Sequence, residues 1–435
     1  LSFGELEDAV ARLAEKVRSL PPGIAMIEAR PRIPTAIAML ALLRAKKPLA
    51  VMAEDWTEAE KATRRALLGR CTQINESGEI VWASEAGEAA HHPETGLVLF
   101  TSGSTGGARA VQLSARGMQA TIETVIDILD FAETAEQTLF LPLSYSFGFL
   151  GHLLPALRAG VPTRLLAGVA EARVELERGT ARGMWSGVPS HWQALLDLTG
   201  VGPGNPVGLS HIVTAGDHMS FALRRRVHEA FPEATIYNNY GQTEAGPRIL
   251  CFTSRHPDFF ERGDGFAVGD FELRLEDDGE LCARGTPLML GYMGNQEASA
   301  RRIDAGWLRT GDIAEIDDEG LVTILGRKDN LINVGGERVS LQEVEAALRR
   351  LDGVADAAVF VEDDETYGRA LVGLLVGDAL AATGRREIIE RLSRELSWKK
   401  IPRRYYSVEG LKRSEQGKLI RSDLPRPGTD AVEIR

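Results

Sequence analysis

The sequence predicts an α/β protein: a large N-terminal domain of layered α/β subdomains with a small β-barrel-like subdomain, then a small α+β C-terminal domain. Three observations predict it. Short apolar runs alternate with amphipathic helical stretches as far as about residue 240, the rhythm of a largely parallel sheet covered by helices. From about Gly263 the rhythm changes to short strands broken by acidic-glycine turns, Glu276-Asp277-Asp278-Gly279 and Asp317-Asp318-Glu319-Gly320, which mark the hairpins of a small antiparallel sheet or barrel. Beyond Gly326-Arg327-Lys328-Asp329-Asn330 the pattern resets, and the remaining tail of about a hundred residues is long enough to be its own domain. The expected division is 1–327 and 328–435.

The elements follow in order. Leu6, Val10, Leu13, Val17 and Leu20 form one face of a helix that Ser2 can cap and Pro21-Pro22-Gly23 stops. A buried strand at 24–27, a helix at 34–45, a strand at 49–52, a helix at 57–68 and a strand at 80–83 come next. Gly96-Leu97-Val98-Leu99 then runs into a loop of glycines and small hydroxyl residues, and a helix at 114–130 places that loop at a strand-to-helix junction. Alternation continues through 138–143, an apolar helix around 152–157, strands at 163–166, 184–188 and 211–215, a helix at 221–231 and a strand at 234–238. The short strands are 271–275, 280–283, 314–316 and 321–325; the tail reads as helix 341–351, strands 355–361 and 370–376, helix 385–396 and strand 405–408.

Composition narrows the function. Hydrophobic residues at 44% and charged residues at 26% describe an ordinary globular chain. A net charge of -12 argues against nucleic acid as the main partner. Cys71, Cys251 and Cys282 show no CxxC spacing, so a zinc framework or disulfide scaffold is not expected and a reducing compartment is the natural setting. Apolar runs such as 36–43 are too short to span a bilayer, and the acidic opening Leu1-Ser2-Phe3-Gly4-Glu5 lacks the basic start of a signal peptide; the expectation is a cytoplasmic protein without a membrane partner.

The loop Thr101-Ser102-Gly103-Ser104-Thr105-Gly106-Gly107 offers backbone N–H and hydroxyl donors that can wrap phosphate oxygens, because glycine permits close backbone approach. A surface turn would use the same residue types. A Walker A loop needs Lys and then Ser or Thr after its last glycine, whereas Ala108 and Arg109 follow here. No HExxH or GxSxG string is present, and the pair His91-His92 reads as solvated imidazoles in a polar loop. In Tyr240-Gly241-Gln242-Thr243-Glu244 a ring can stack on a base, a hydroxyl can meet phosphate and a carboxylate can take Mg2+; taken alone the stretch is equally a strand end.

FTSGSTGGARAVQLS, YNNYGQTEAG, GELCARGTPLMLGY, GWLRTGDIAEIDDEG, GRKDNLINVGGERVSLQEVE and SEQGKLIR occur in this order. Together, from about residue 97 to 422, they resemble the adenylate-forming superfamily of acyl- and aryl-CoA synthetases, nonribosomal adenylation domains and luciferases. The resemblance implies an ATP- and Mg2+-dependent ligase that activates a small carboxylic acid as its adenylate and passes it to CoA, or to a carrier-protein pantetheine or an amine. A nucleotide sensor without catalysis is a remote alternative.

It implies site residues as well. Residues Thr101 to Gly107 match the phosphate loop; Tyr240, with Asn238, Asn239 and Gly241, matches the adenine site; Thr243 matches the phosphate-contacting hydroxyl and Glu244 the Mg2+ ligand. Asp312 and Arg327 match the ribose-binding pair, Asp329 the hinge of a mobile C-terminal domain, Gly335 and Gly336 the thiol tunnel, and Lys418 the catalytic lysine. Tyr145, Gly148, Ala215, Gly216, Gly241, Gly246 and Pro247 would line the acid pocket, whose small and aromatic walls suit an aryl or modest acyl chain. Since 144–148 contains no Asp to pair with an ammonium group, α-amino acids are disfavoured. Three departures stand out: Ala108-Arg109-Ala110 replaces the usual Pro-Lys-Gly, Tyr145 stands where many relatives carry His, and fewer residues than usual precede the loop.

Overall fold

In the computed structural model Ser2 caps the first helix, Phe3–Arg18, through a reciprocal capping box with Glu5, and the helix buries Val10, Ala14 and Val17. The structure describes residues 1–84, 91–102, 108–199, 208–328, 331–334, 337–364, 368–377, 384–396, 398, 400–413, 419–425 and 431–434. The chain forms two compact units, one of Leu1–Arg274 with Cys282–Thr310, the other of Leu275–Leu281 with Gly311–Arg435.

The first unit contains two seven-stranded sheets. In the first the strand order is Gly291–Tyr292, Ala108–Ser114, Thr95–Ser102, Leu49–Ala53, Ile24–Ala29, Cys71–Ile74, Ile80–Ala83. Ile24–Ala29 lies between two parallel neighbours and is apolar except for Glu28, which pairs with Lys61, as suits a doubly covered strand. The glycine loop does not lead into a helix. Thr95–Ser102 and Ala108–Ser114 pair antiparallel with Thr101 opposite Arg109 and Ser102 opposite Ala108, so the loop closes a hairpin, and the helix Ala115–Ile128 starts only after Ser114 caps it. The second strand escapes an apolar-pattern reading because it carries Arg109 and Gln112. Gln112 is buried and is satisfied there by accepting from the His92 backbone and the Thr95 hydroxyl.

The second sheet runs Phe266–Ala267, Leu250–Thr253, Thr235–Tyr240, Gly208–Thr214, Arg182–Gly187, Gln137–Leu139, Thr163–Leu165. The last five strands in that order are parallel, and Leu250–Thr253 and Phe266–Ala267 add antiparallel pairings at the edge. From Gln137–Leu139 the chain winds outward to Thr163–Leu165, then crosses back to Arg182–Gly187 and proceeds the other way. The strand order therefore reverses between Gln137–Leu139 and Arg182–Gly187, and in open α/β sheets the carboxyl ends around such a reversal form the ligand crevice. The helices Val169–Glu177 and Pro189–Thr199 and the strand Cys71–Ile74 were not anticipated. The apolar stretch near 152 is also more irregular than expected: a π-turn, Phe149–Leu153, precedes the helix Leu154–Ala159.

The second unit carries an antiparallel pairing of residues 312–316 with Val322–Arg327 around the acidic-glycine turn. Its four-stranded sheet has the order Asp356–Asp364, Gly368–Val376, Arg404–Ser407, Val432–Glu433. The helices Leu341–Arg349 and Arg385–Leu392 bury Val344, Leu348, Ile388 and Leu392 in one core with Val359, Leu371 and Tyr405. Among the described residues no helix is long and apolar enough to cross a membrane.

Candidate active site

The strand Thr235–Tyr240 delivers Asn238 and Asn239, both buried, and half-buried Tyr240 to the carboxyl edge of the second sheet. There the chain doubles back. Ile249 donates its N–H to the Tyr240 carbonyl at 2.8 Å, and Ala245 to that of Gln242 at 3.0 Å. A Cβ on Gly241 would stand 2.2 Å from the Pro247 carbonyl oxygen and 2.7 Å from the Arg248 Cα, so only glycine fits this turn. Gly246, with φ of +62°, passes against the Thr121 hydroxyl, where a Cβ would come within 2.5 Å.

Thr243 and Glu244 are tied to other segments, as is Gln242, which donates to the Thr310 carbonyl. Thr243 Oγ1 lies 3.2 Å from Ser146 Oγ. Glu244 is buried; its carbonyl accepts from Met289 N–H at 2.8 Å, and its Oε1 accepts from the Tyr292 hydroxyl at 2.9 Å. Among the described residues no basic side chain forms an ion pair with Glu244, and no cluster of three or more His, Cys, Asp or Glu side chains is present. A buried carboxylate without a counter-cation fits a divalent ion that draws its other ligands from substrate phosphates and water, as Mg2+ does.

Behind the loop a polar network fixes the backbone. Asn239 Nδ2 donates to the Thr214 and Tyr237 carbonyls, and its Oδ1 accepts from Arg248 Nε at 2.9 Å. Arg248 also donates to the Gly151 carbonyl at 2.8 Å and to His152 Nε2 at 3.0 Å. Because a guanidinium can only donate, His152 Nε2 accepts and the ring proton sits on Nδ1, which faces Ser186 Oγ at 3.0 Å and Gln137 Oε1 at 3.3 Å. Burial, reinforced by the Arg248 charge, pushes the His152 pKa well down, consistent with a neutral ring. Burial also lowers the Arg248 pKa to about 10, which leaves it charged at neutral pH. The π-turn supplies both the Gly151 carbonyl and His152, the kind of local irregularity that frequents functional sites.

The positions expected to line an acid pocket gather around the same edge. Ala215 and Gly216 directly follow the strand Gly208–Thr214, and Gly216 has φ of +93° with the Val188 side chain 3.3 Å from a would-be Cβ. Half-buried Tyr145 begins the turn that includes Gly148, where a Cβ would strike the Pro142 carbonyl at 2.3 Å. Pro247 packs on Gly151. His91 is half-buried rather than solvated, with burial lowering its pKa, whereas His92 is exposed.

In the second unit Asp312 and Arg327 face each other across the antiparallel pair, with Arg327 Nη1 at 3.3 Å from Asp312 Oδ1. Gly103, Ser104, Thr105, Gly106, Gly107, Asp329, Gly335, Gly336 and Lys418 lie outside the described residues, as does the side chain of Ser102. The segment bearing Lys418 is flanked by a bridge between Arg413 and Leu419. Arg413 pairs with Asp356 at 2.8 Å and Arg421 with Glu345 at 2.9 Å.

Sequence reasoning missed Ser146, His152, Arg248 and Tyr292. Tyr292 and Arg248 sit within or beside strings that carried the resemblance, yet nothing in residue type indicates that a tyrosine will reach a glutamate 48 residues away.

Residues 65–293 match the AMP-binding enzyme family and residues 343–418 the AMP-binding enzyme C-terminal domain. A 3-[(3aS,4S,7aS)-7a-methyl-1,5-dioxo-octahydro-1H-inden-4-yl]propanoyl:CoA ligase of Rhodococcus jostii is 30% identical over 75% of this chain and 64% of its own length. 4-Coumarate-CoA ligase 1 of Narcissus pseudonarcissus is 29% identical over 77% and 65%. The chain thus spans somewhat less than two thirds of the length of these relatives. Among solved structures, o-succinylbenzoate CoA synthetase of Bacillus subtilis superposes with a TM-score of 0.81 at 22% identity, covering 100% of this chain and 94% of that one. ATP-bound MatB of Rhodopseudomonas palustris also gives 0.81, at 20% identity, covering 96% and 91%. The fold is theirs: a large N-terminal α/β domain and a smaller C-terminal one.

Proposed function

The chain belongs to the AMP-binding enzyme family, and from that membership we propose that it is an AMP-forming acid–thiol ligase, an acyl- or aryl-CoA synthetase. The observation that carries the reading is the Tyr292 to Glu244 hydrogen bond. It joins the sheet containing the antiparallel strands Thr95–Ser102 and Ala108–Ser114 to the turn 240–244 of the other sheet, which supports reading the loop between those strands and the Glu244 carboxylate as parts of one site.

On this reading residues 1–327 bind nucleotide and acid, and 328–435 form a mobile domain hinged at Asp329. Thr101 to Gly107 and Thr243 hold the β- and γ-phosphates, Tyr240 packs on adenine beside Asn238, Asn239 and Gly241, and Asp312 with Arg327 takes the ribose hydroxyls. Glu244 would hold Mg2+, which supplies charge neutralisation to the departing pyrophosphate. The substrate carboxylate oxygen attacks the α-phosphorus, the bond from that phosphorus to the bridging oxygen breaks, and pyrophosphate leaves. Both reactants are anionic, so catalysis consists mainly of neutralisation and in-line positioning, with Lys418 placed between them as a compact cation. The thiol of CoA then reaches the acyl carbonyl past Gly335 and Gly336, and AMP departs.

Tyr145, Gly148, Ala215, Gly216, Gly246 and Pro247 form the walls for a small aryl or acyl acid. The cysteine usage fits a cytoplasmic setting. Pyrophosphate release over a panel of aryl and short acyl acids, with CoA, holo-carrier protein or amines as acceptors, tests the proposal. Release that requires an acid and yields a thioester with CoA is expected; no acid-dependent release with any member would defeat the reading.

A further inference from the structure

We infer that Tyr292 is a positioning residue for Glu244 and that, with Arg109, it sets how tightly the site holds a divalent metal once nucleotide is bound. The inference rests on the assignment of Glu244 to the metal in the proposed ligase.

Tyr292 is itself fixed. It sits on the two-residue strand Gly291–Tyr292 opposite Val111, its N–H donates to Ser299 Oγ at 2.8 Å, and its side chain is buried. Its hydroxyl donates to Glu244 Oε1, which leaves Glu244 one free oxygen and a set orientation. An ionised carboxylate can only accept, so the phenol is the donor of this bond. A carboxylate with one oxygen bound by a buried donor presents the other in a single direction, and such outer partners of metal ligands commonly contribute strongly to metal affinity.

Arg109 completes the unit. It lies two residues before Val111 and so on the same face of its strand, and its guanidinium stands 5.1 Å from the Tyr292 ring centroid. Among the described residues it forms no ion pair with a carboxylate, so its charge is left for an anion beside the hairpin loop. A lysine would bring its charge on a flexible stem. An arginine stacked on a buried ring is already in place, which accounts for the departure from Pro-Lys-Gly at this position.

Tyr292→Phe keeps the ring beside Arg109 and removes the hydroxyl that donates to Glu244 and also meets the Arg109 side chain. With the protein saturated by α,β-methylene ATP, Mn2+ binding followed by water-proton relaxation is expected to weaken about 10- to 100-fold. Melting temperature and affinity for the nucleotide without metal should be unchanged. Glu244→Gln should weaken Mn2+ binding at least as much. If Glu244→Gln weakens Mn2+ binding and Tyr292→Phe leaves it unchanged, the role given to Tyr292 is wrong while the ligase reading stands. If Glu244→Gln also leaves it unchanged, the metal assignment fails and the inference falls with it.

Discussion

The two units hold their functional residues by different physics. In the first, the turn 240–248 is braced from behind by Asn239, Arg248, neutral His152 and Ser186, a buried network containing one full charge and no ion pair. In the second, the bracing is by ion pairs whose arginines are partly exposed: Arg327 with buried Asp312, Arg413 with Asp356, and Arg421 with buried Glu345. All eight histidines fall at or before His256, in the first unit. A buried network is worth most as a fixed geometry, whereas pairs with a partly exposed arginine are weakened by water and salt.

The largest expected effect breaks the division of labour. Lys418→Ala should lower acyl-adenylate formation about 10²- to 10³-fold while ATP binding, measured by equilibrium dialysis, stays largely intact; loss of ATP binding would mean that Lys418 serves nucleotide binding rather than the adenylation step. Next, Arg248→Met strips partners from the Gly151 carbonyl, His152 and Asn239, and should destabilise the first unit by about 2–3 kcal/mol in urea unfolding. Arg413→Met, at a pair whose side chains are both about a quarter exposed, should cost about 1 kcal/mol or less. Equal losses from the two substitutions would erase the contrast.

The smallest effect is a pH slope. Burial holds His191 down at about 4 and His152 well below its ordinary value of 6.5. The unfolded chain then binds protons that the folded one refuses, so this contribution is fully present above about pH 6.5 and is lost as the pH falls toward 4. Hydrogen exchange at pH 7 and pH 5 should show protection falling in peptides from the first unit, without a histidine-driven loss in the second.

Much of the fold was legible because its strands are apolar runs between strong punctuation. Ser2, Thr57 and Ser220 cap helices where capping residues precede periodic segments. The hairpin at 101–109 was not legible, because a buried glutamine and an arginine interrupt the apolar pattern and only the neighbouring strands show that both can be accommodated. At the site, glycines and charged residues in register carried the resemblance to the family. Tyr292, Arg248 and His152 act through contacts across long sequence separations and carry no local signal.

In the proposed ligase a carboxylate oxygen of the acid attacks the α-phosphorus of ATP. The most direct measurement uses an accepted acid labelled with 18O in its carboxyl group, turned over with ATP and CoA, followed by mass analysis of the products. One labelled oxygen in AMP and none in pyrophosphate is the expected result. Label in phosphate or pyrophosphate, or unlabelled AMP beside a formed thioester, would contradict it.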